Sequence, residues 1–311
     1  MLGSLASLLT SWVLVSRLER IGERIGLSEA VLGIVAALAA DAPEITAAIT
    51  ALARHEHQAG AGIVIGSNVF NLAALLGLGA VVAGRIGLHR KVIALAGSVA
   101  VWLAAVSLAV VTGLVSPAAG AALTLAALLL YLAALAAPRA GWLASAVAEE
   151  ELELSDAIRP AKGTPADAVM AMAALAVVVA ASVVMERAAS SVGARHGVPE
   201  IVTGGLVLAA VTSLPNAIAA VYLAARGRGH AALSTALNSN AMNVVIGLMV
   251  PAAVLGLGPP SAPATLVTAW YAGLTLAVLA TAYAGRGLTR RSGLAIIAGY
   301  LIFVATVLAV A

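Results

Sequence analysis

The sequence predicts an all-α integral membrane protein: ten transmembrane helices in two inverted five-helix repeats, with both termini outside. Three observations carry this expectation. Of 311 residues, 62% are hydrophobic and 10% charged, and the mean hydropathy is +1.06; no soluble domain of this length hides so much apolar surface. Lys and Arg concentrate in alternate joints between the apolar runs, as the positive-inside rule requires. A pattern of Pro, Ser and Asn recurs at an offset of 172 residues, the mark of an internal duplication.

Taken in order, the apolar runs place helices near 2–16, 30–53, 61–84, 91–112, 117–137, 166–186, 200–224, 230–256, 262–284 and 292–311. The first run is followed, not preceded, by basic residues (Arg17, Arg20, Arg24). That is the reverse of a cleavable signal peptide, so it is kept as a helix with its N-terminus outside. This arrangement puts 14 of the 17 Lys and Arg residues in cytoplasmic joints and leaves Arg54, Arg187 and Arg195 outside. The long joint from about Pro138 to Pro165 contains Glu149, Glu150, Glu151 and Glu153. It reads as a solvated linker with a short amphipathic helix on the cytoplasmic surface, since no Asp-x-Asp-x-Asp-Gly calcium loop is present. Outer-membrane strand patterning is absent. The chain has no cysteine, which excludes disulfides and thiolate metal sites. A net charge of +3 needs no nucleic-acid partner, because topology accounts for the basic residues.

The offset of 172 aligns Gly33 with Gly205, Pro43 with Pro215, Arg54 with Arg226, Ser67-Asn68 with Ser239-Asn240, and Asn71 with Asn243. Residues 1–137 therefore form a first five-helix repeat (motif region 33–79), 138–165 the linker, and 166–311 a second repeat (motif region 205–251). Five is odd, so the second repeat enters the membrane in the opposite sense. Transporters built this way bind substrate near the midplane, on interrupted helices where the halves meet.

Of the 14 Asp and Glu residues, only Asp41 and Glu44 are expected at membrane depth. An ionisable residue there is a functional candidate by default. They are three residues apart, hence on one helix face, and in low dielectric they would not both stay ionised without a cation or a shared proton. Thr46, Thr50, Ser67, Asn68, Asn71, Thr212, Ser213, Asn216, Asn238, Ser239, Asn240 and Asn243 add neutral oxygens. Oxygen donors suit hard cations such as Ca²⁺, Na⁺, Mg²⁺ and Mn²⁺, not copper or zinc. Pro43 and Pro215 each leave a carbonyl one turn earlier without its helical donor, and a bound cation is one way to satisfy it. The plainer readings are a Pro kink and, for Asn and Ser taken singly, interhelical hydrogen bonding; Asn68 and Asn240 are candidates for that role. The five histidines fall in joints, the tryptophans read as interfacial or lipid-facing anchors, and Gly62-x-x-x-Gly66 reads as close helix packing.

These residues resemble the cation/calcium exchanger superfamily, which includes the sodium/calcium exchangers. Its two inverted alpha repeats each carry Gly-Thr-Ser-x-Pro-Glu followed by Gly-Ser-Asn-x-x-Asn. Here the first repeat reads Ala39-Ala40-Asp41-Ala42-Pro43-Glu44 and Gly66-Ser67-Asn68-Val69-Phe70-Asn71. The second reads Val211-Thr212-Ser213-Leu214-Pro215-Asn216 and Asn238-Ser239-Asn240-Ala241-Met242-Asn243. The resemblance implies that helices 2, 3, 7 and 8 surround the ion sites while helices 1 and 6 slide across them. It implies ion-binding roles for Glu44, Ser67, Asn71, Thr212, Ser213, Ser239 and Asn243. Two positions depart from the pattern: Asn216 replaces the second acid, and Asp41 replaces a serine. Two carboxylates are kept, both in the first repeat.

The expected function is a secondary active antiporter in the plasma membrane. It would exchange a divalent cation, Ca²⁺ foremost, for Na⁺ or H⁺, with Asp41 and Glu44 supplying charge and Asn216 a neutral oxygen. No resident cofactor is expected; the partners are the transported metal cations and the lipid bilayer. Alternatives are exchange of another divalent cation or of Na⁺ for H⁺, and a non-transporting cation-sensing relative. An intramembrane hydrolase is the competing class, but neither His-Glu-x-x-His nor Gly-x-Ser-x-Gly occurs and no histidine is expected at membrane depth to act as a base.

Overall fold

The structure, a computed structural model, describes residues 2–26, 35, 37–136, 163–225 and 229–310. The expected linker helix and its glutamates lie outside these residues. So do Gly33, Arg139, Trp142, Arg159, Lys162, Arg226 and Arg228.

In chain order the helices are α1 (Leu2–Ile25), α2 (Ala42–Ala53), α3 (His57–Ala83), α4 (Arg90–Val111) and α5 (Pro117–Ala136). They continue as α6 (Pro165–Arg195), α7 (Glu200–Ala225), α8 (Gly229–Leu255), α9 (Ala262–Gly285) and α10 (Arg290–Val310). Eight of these are long and apolar enough to cross a membrane, and α2 is a shorter apolar helix. α3, α7 and α8 each contain a π-helical stretch, at Leu72–Leu78, Thr203–Leu208 and Asn243–Met249. α3 lies at the centre, its apolar window 89% buried, whereas those of α5, α6 and α10 are 22% buried and form the rim.

Two helices outrun their expected ends. α1 continues to Ile25 and α6 to Arg195, because hydropathy stops at the first charges whereas backbone hydrogen bonding does not. The charged ends are supported in place. Arg17 and Arg20 lie 2.8 and 3.7 Å from the Asp167 carboxylate, and Thr164 and Asp167 form a reciprocal capping box at the start of α6, which satisfies donors that a helix N-terminus leaves open.

The fold also contains a feature that the all-α expectation lacked. β1 (Arg85–Gly87) pairs antiparallel with β2 (Gly287–Thr289), with Ile86 opposite Leu288. Arginines counted only as topology signals tie this ribbon together. Arg290 donates to the Val81 carbonyl at 3.1 Å, Arg90 donates to the Tyr283 carbonyl at 3.2 Å, and Arg85 donates to Gly285 at 3.4 Å. The α3–α4 and α9–α10 joints are thereby fastened to each other.

The main core joins α2 to α5 with α7 to α10. A second, separate cluster of Leu14, Ala39, Ala42, Ala171, Ala174 and Val178 seats α1 and α6 against the start of α2. α1 and α6 pack chiefly on each other, so they form a two-helix layer beside the bundle.

Small residues let α3 and α7 approach closely at the centre. A Cβ at Gly66 would lie 2.1 Å from the Gly205 carbonyl oxygen, and one at Gly62 would lie 2.9 Å from the Gly205 nitrogen. The expected close packing at these glycines is thus a backbone-to-backbone contact. Gly66→Ala should lower thermal stability in detergent by about 1–3 kcal/mol or more, the usual cost of overpacking. An unchanged melting temperature would refute this account of the contact.

Candidate functional site

The site is built where α2, α3, α7 and α8 meet. Asp41 sits at the turn that opens α2, with φ −84° and ψ −2°. Its N–H donates to Ala37 O and its own carbonyl accepts from Ile45, so the helical path continues through it. Glu44 follows one turn on. Both carboxylates are completely buried. Ser67 and Asn71 on α3, and Ser239 and Asn243 on α8, are each four residues apart and share a helix face; all four are fully buried.

One network joins the two halves of the chain. Asp41 Oδ1 accepts from Ser239 Oγ at 2.6 Å and from Asn216 Nδ2 at 2.7 Å. Asn71 Nδ2 donates to Ser239 Oγ and to Asn240 Oδ1, both at 3.1 Å. Glu44 Oε1 accepts from Ser213 Oγ at 2.9 Å. Asn243 Nδ2 donates to Asn68 Oδ1 at 3.3 Å. Asn68 and Asn240 donate to each other's backbone carbonyl at 3.1 and 3.2 Å, the interhelical role that their positions suggest. Thr212 stays outside the network: its hydroxyl donates to Leu208 O on its own helix at 2.9 Å.

What remains unpaired is informative. Asp41 Oδ2, Glu44 Oε2, Ser67 Oγ, Asn71 Oδ1 and Asn243 Oδ1 are buried without a hydrogen-bond partner. Buried polar atoms in native proteins are nearly always satisfied, and an unpaired carboxylate oxygen in low dielectric is especially costly. Here the Ser213 and Ser239 hydroxyls and the side-chain amide nitrogens of Asn68, Asn71, Asn216, Asn240 and Asn243 are spent on the network. The carboxylate and amide oxygens left over are acceptors, and the Ser67 hydroxyl, its hydrogen uncommitted, can accept or coordinate as well; together they make the donor set of a hard-cation site.

Several contributors escaped the sequence reading. Pro43 frees the Ala39 carbonyl, and Ser11 of α1 approaches it, with Oγ 3.5 Å from both Ala39 O and Ala40 O. The contact is at the limit of a hydrogen bond. Its signal is Ser4, Ser7 and Ser11 on one side of an apolar helix. Tyr131 Oη lies 3.4 Å from Asn238 Oδ1, and buried Tyr271 reaches Asn68; a tyrosine inside a long apolar run is the available cue. The π-helical stretches were not foreseen. Two of them begin at Leu72, directly after Asn71, and at Asn243. Such stretches are common at functional sites.

The fold and this centre define a polytopic membrane protein with a polar, acceptor-rich site among its most buried helices. A model of the family described as sodium/calcium exchanger protein matches residues 1–138 and 167–309. The chain belongs to that family. Among curated relatives, it is 37% identical over 60 residues to sodium/potassium/calcium exchanger 4 of Homo sapiens, covering 19% of this chain and 10% of the relative. It is 40% identical over 63 residues to sodium/potassium/calcium exchanger 1 of Gallus gallus, covering 20% and 10% respectively. The match thus spans about a tenth of the length of these relatives. The H⁺/Ca²⁺ exchanger CAX superposes with a TM-score of 0.71 at 14% identity, over 97% of this chain and 79% of that one. The sodium-calcium exchanger NCX_Mj superposes at 0.66 and 20% identity, over 98% and 96%. At such identities the likeness is one of fold.

Proposed function

We propose that this protein is a secondary active antiporter. It exchanges a divalent cation, Ca²⁺ foremost, for Na⁺ or H⁺ by alternating access in the plasma membrane. The observation that carries the proposal is the set of five buried, unpartnered oxygens at Asp41, Glu44, Ser67, Asn71 and Asn243. These oxygens lie at positions of the family motifs in both halves of the chain. Asp41 and Glu44 supply the charge, Ser67, Asn71 and Asn243 the free neutral oxygens, and Asn216, Ser213 and Ser239 orient the two carboxylates. Thr212 contributes through its remaining lone pairs.

The proposed topology is ten spans with both termini outside, and two inverted repeats at 1–137 and 166–311. It rests on the distribution of basic residues and on the paired motifs. Family membership supports transport over hydrolysis.

The test is a panel of cation gradients across proteoliposomes, scored for flux at two pH values. Expected is uptake of Ca²⁺ driven by an outward gradient of Na⁺ or H⁺. If the Na⁺ gradient drives uptake equally at both pH values, Na⁺ is the counter-ion; if the pH gradient alone suffices, it is H⁺. Cation binding without flux under every gradient would overturn the antiporter reading.

A further inference from the structure

From residue 57 to 148, and again from 201 to 311, the sequence contains no Asp or Glu. The basic residues in the described parts of these stretches are Arg85, Arg90, Lys91, Arg286, Arg290 and Arg291. All six lie at the two joints that the β1–β2 ribbon fastens together. The five arginines are exposed, and among the described residues none of them forms an ion pair.

Topology accounts for the side of the membrane on which these charges lie. It does not account for where they sit on the helices. α4 opens on Arg90-Lys91 and α10 on Arg290-Arg291, with no acid in either first turn, and no side chain caps α4. A helix N-terminus is the positive end of the macrodipole and disfavours cations. Two such ends tied to one ribbon concentrate positive potential, and an anion is the counterpart that relieves it.

An apolar groove of about 570 Å³ leads away from this patch between α4 and α9. Ala94, Gly97, Val101 and Ala105 of α4 line it, with Trp102 toward the far end and Tyr283 of α9 toward the patch. From 93 to 105 the groove follows α4 for about 18 Å at ~1.5 Å per residue. One leaflet of a hydrocarbon core of about 30 Å is about 15 Å deep. The patch opens directly onto the groove, because the Arg90 guanidinium stacks on the Tyr283 ring, 5.2 Å from its centroid. Arg90 Nε also donates to the Tyr283 carbonyl at 3.2 Å, which uses one of the several N–H groups of a guanidinium. A second lateral groove, of about 400 Å³, lies between α9 and α10 and is lined by Trp270, Gly273 and Gly299. Its lining residues are at least two helical turns from the nearest basic residue of either helix. It offers apolar surface without the charge.

We propose that the α4–α9 groove binds one anionic phospholipid. An acyl chain lies along α4 for the depth of one leaflet, and the headgroup phosphate meets Arg90 and the basic patch at the ribbon. The planar fork of a guanidinium matches a phosphate. In the ten-span topology this lipid belongs to the cytoplasmic leaflet, and its binding does not depend on which ions the central site exchanges.

Tryptophan reports on both grooves. One variant keeps Trp102 and another keeps Trp270, the other three tryptophans in each being replaced by Phe. Each is reconstituted in vesicles of phosphatidylcholine and phosphatidylglycerol at varied ratio, with one lipid brominated on its acyl chains so that it quenches an adjacent indole. Expected at Trp102 is a preference for phosphatidylglycerol of roughly tenfold or more, since each Lys or Arg near an anionic headgroup contributes about fivefold. At Trp270 the two lipids should compete equally. Arg90→Gln should lower the Trp102 preference about fivefold, and high salt should lower it with Arg90 intact. Equal competition at Trp102, a preference of the same size at Trp270, or one that survives both Arg90→Gln and high salt would each overturn the proposal. So would quenching of Trp102 by neither lipid, the result of a second copy of the chain filling the groove. Should Arg90→Gln disturb the ribbon, the salt response and the Trp270 comparison still decide.

Discussion

Glu44→Gln should abolish cation-driven exchange while making the cation-free protein more resistant to heat. The two effects have one cause. Glu44 is fully buried, with one oxygen held by Ser213 and the other unpaired. A unit charge about 4 Å from another, at an effective dielectric of about 20, interacts by about 4 kcal/mol. That is about three decades in binding, so the glutamine variant should need roughly a thousandfold more Ca²⁺. Without the cation the same carboxyl is a liability, since low dielectric leaves it either an unpaired charge or obliged to take up a proton that it does not hold in the unfolded chain. The amide keeps the bond from Ser213 and removes the charge. Melting curves in detergent should show a higher transition for the variant without Ca²⁺, and no further rise when Ca²⁺ is added. The parent should show a rise that grows with the logarithm of Ca²⁺ concentration. Parental flux together with a parental Ca²⁺ response would remove Glu44 from the site.

Asn216→Glu alone should be inactive, and adding Asp41→Ser should restore exchange. Asn216 Nδ2 and Asp41 Oδ1 are 2.7 Å apart, so a glutamate at 216 is thrust against an existing carboxylate. The repulsion between like charges at that range is about 6 kcal/mol at an effective dielectric of about 20, enough to displace the side chain or force protonation. Converting Asp41 to Ser removes the clash and returns the distribution of acids to one per repeat. The two substitutions must therefore be strongly non-additive, as changes at contacting residues are. The measurement is flux and cation preference for the two single variants and the double variant. Additive losses, or a double variant no better than Asn216→Glu, would show that 41 and 216 do not exchange roles. Rescued exchange with unchanged cation preference would show that the site's selectivity lies elsewhere.

Much of the site was legible because membrane interiors are intolerant of polar groups. In a chain this apolar, Asp41 and Glu44 stand out without any structural information, and the offset of 172 residues singles out Asn71 with Asn243 and Ser67 with Ser239. The offset also aligns Asn216 with Glu44. In the structure, however, Asn216 bonds to Asp41, and Glu44 is held by Ser213. Sequence alignment names equivalent positions; it does not say which side chains touch across the interface. Ser11 and Tyr271 were missed for a related reason. A serine stripe or a tyrosine in an apolar helix marks a face but not its partner, and the importance of the residue comes from what lies opposite it.

The sequence by itself determined that the chain is a polytopic helical membrane protein with a duplicated polar motif and two intramembrane acids. Composition and spacing suffice for that, because transfer of each residue type into lipid has a nearly context-free cost. The tertiary structure alone decided which oxygens are used up in holding the network and which are left without donors. It also decided that Gly66 meets the Gly205 backbone, and that the helical path through Asn71 and Asn243 widens into π turns. Hydrogen-bond satisfaction and steric fit depend on the relative placement of helices far apart in sequence, and no local pattern encodes that placement.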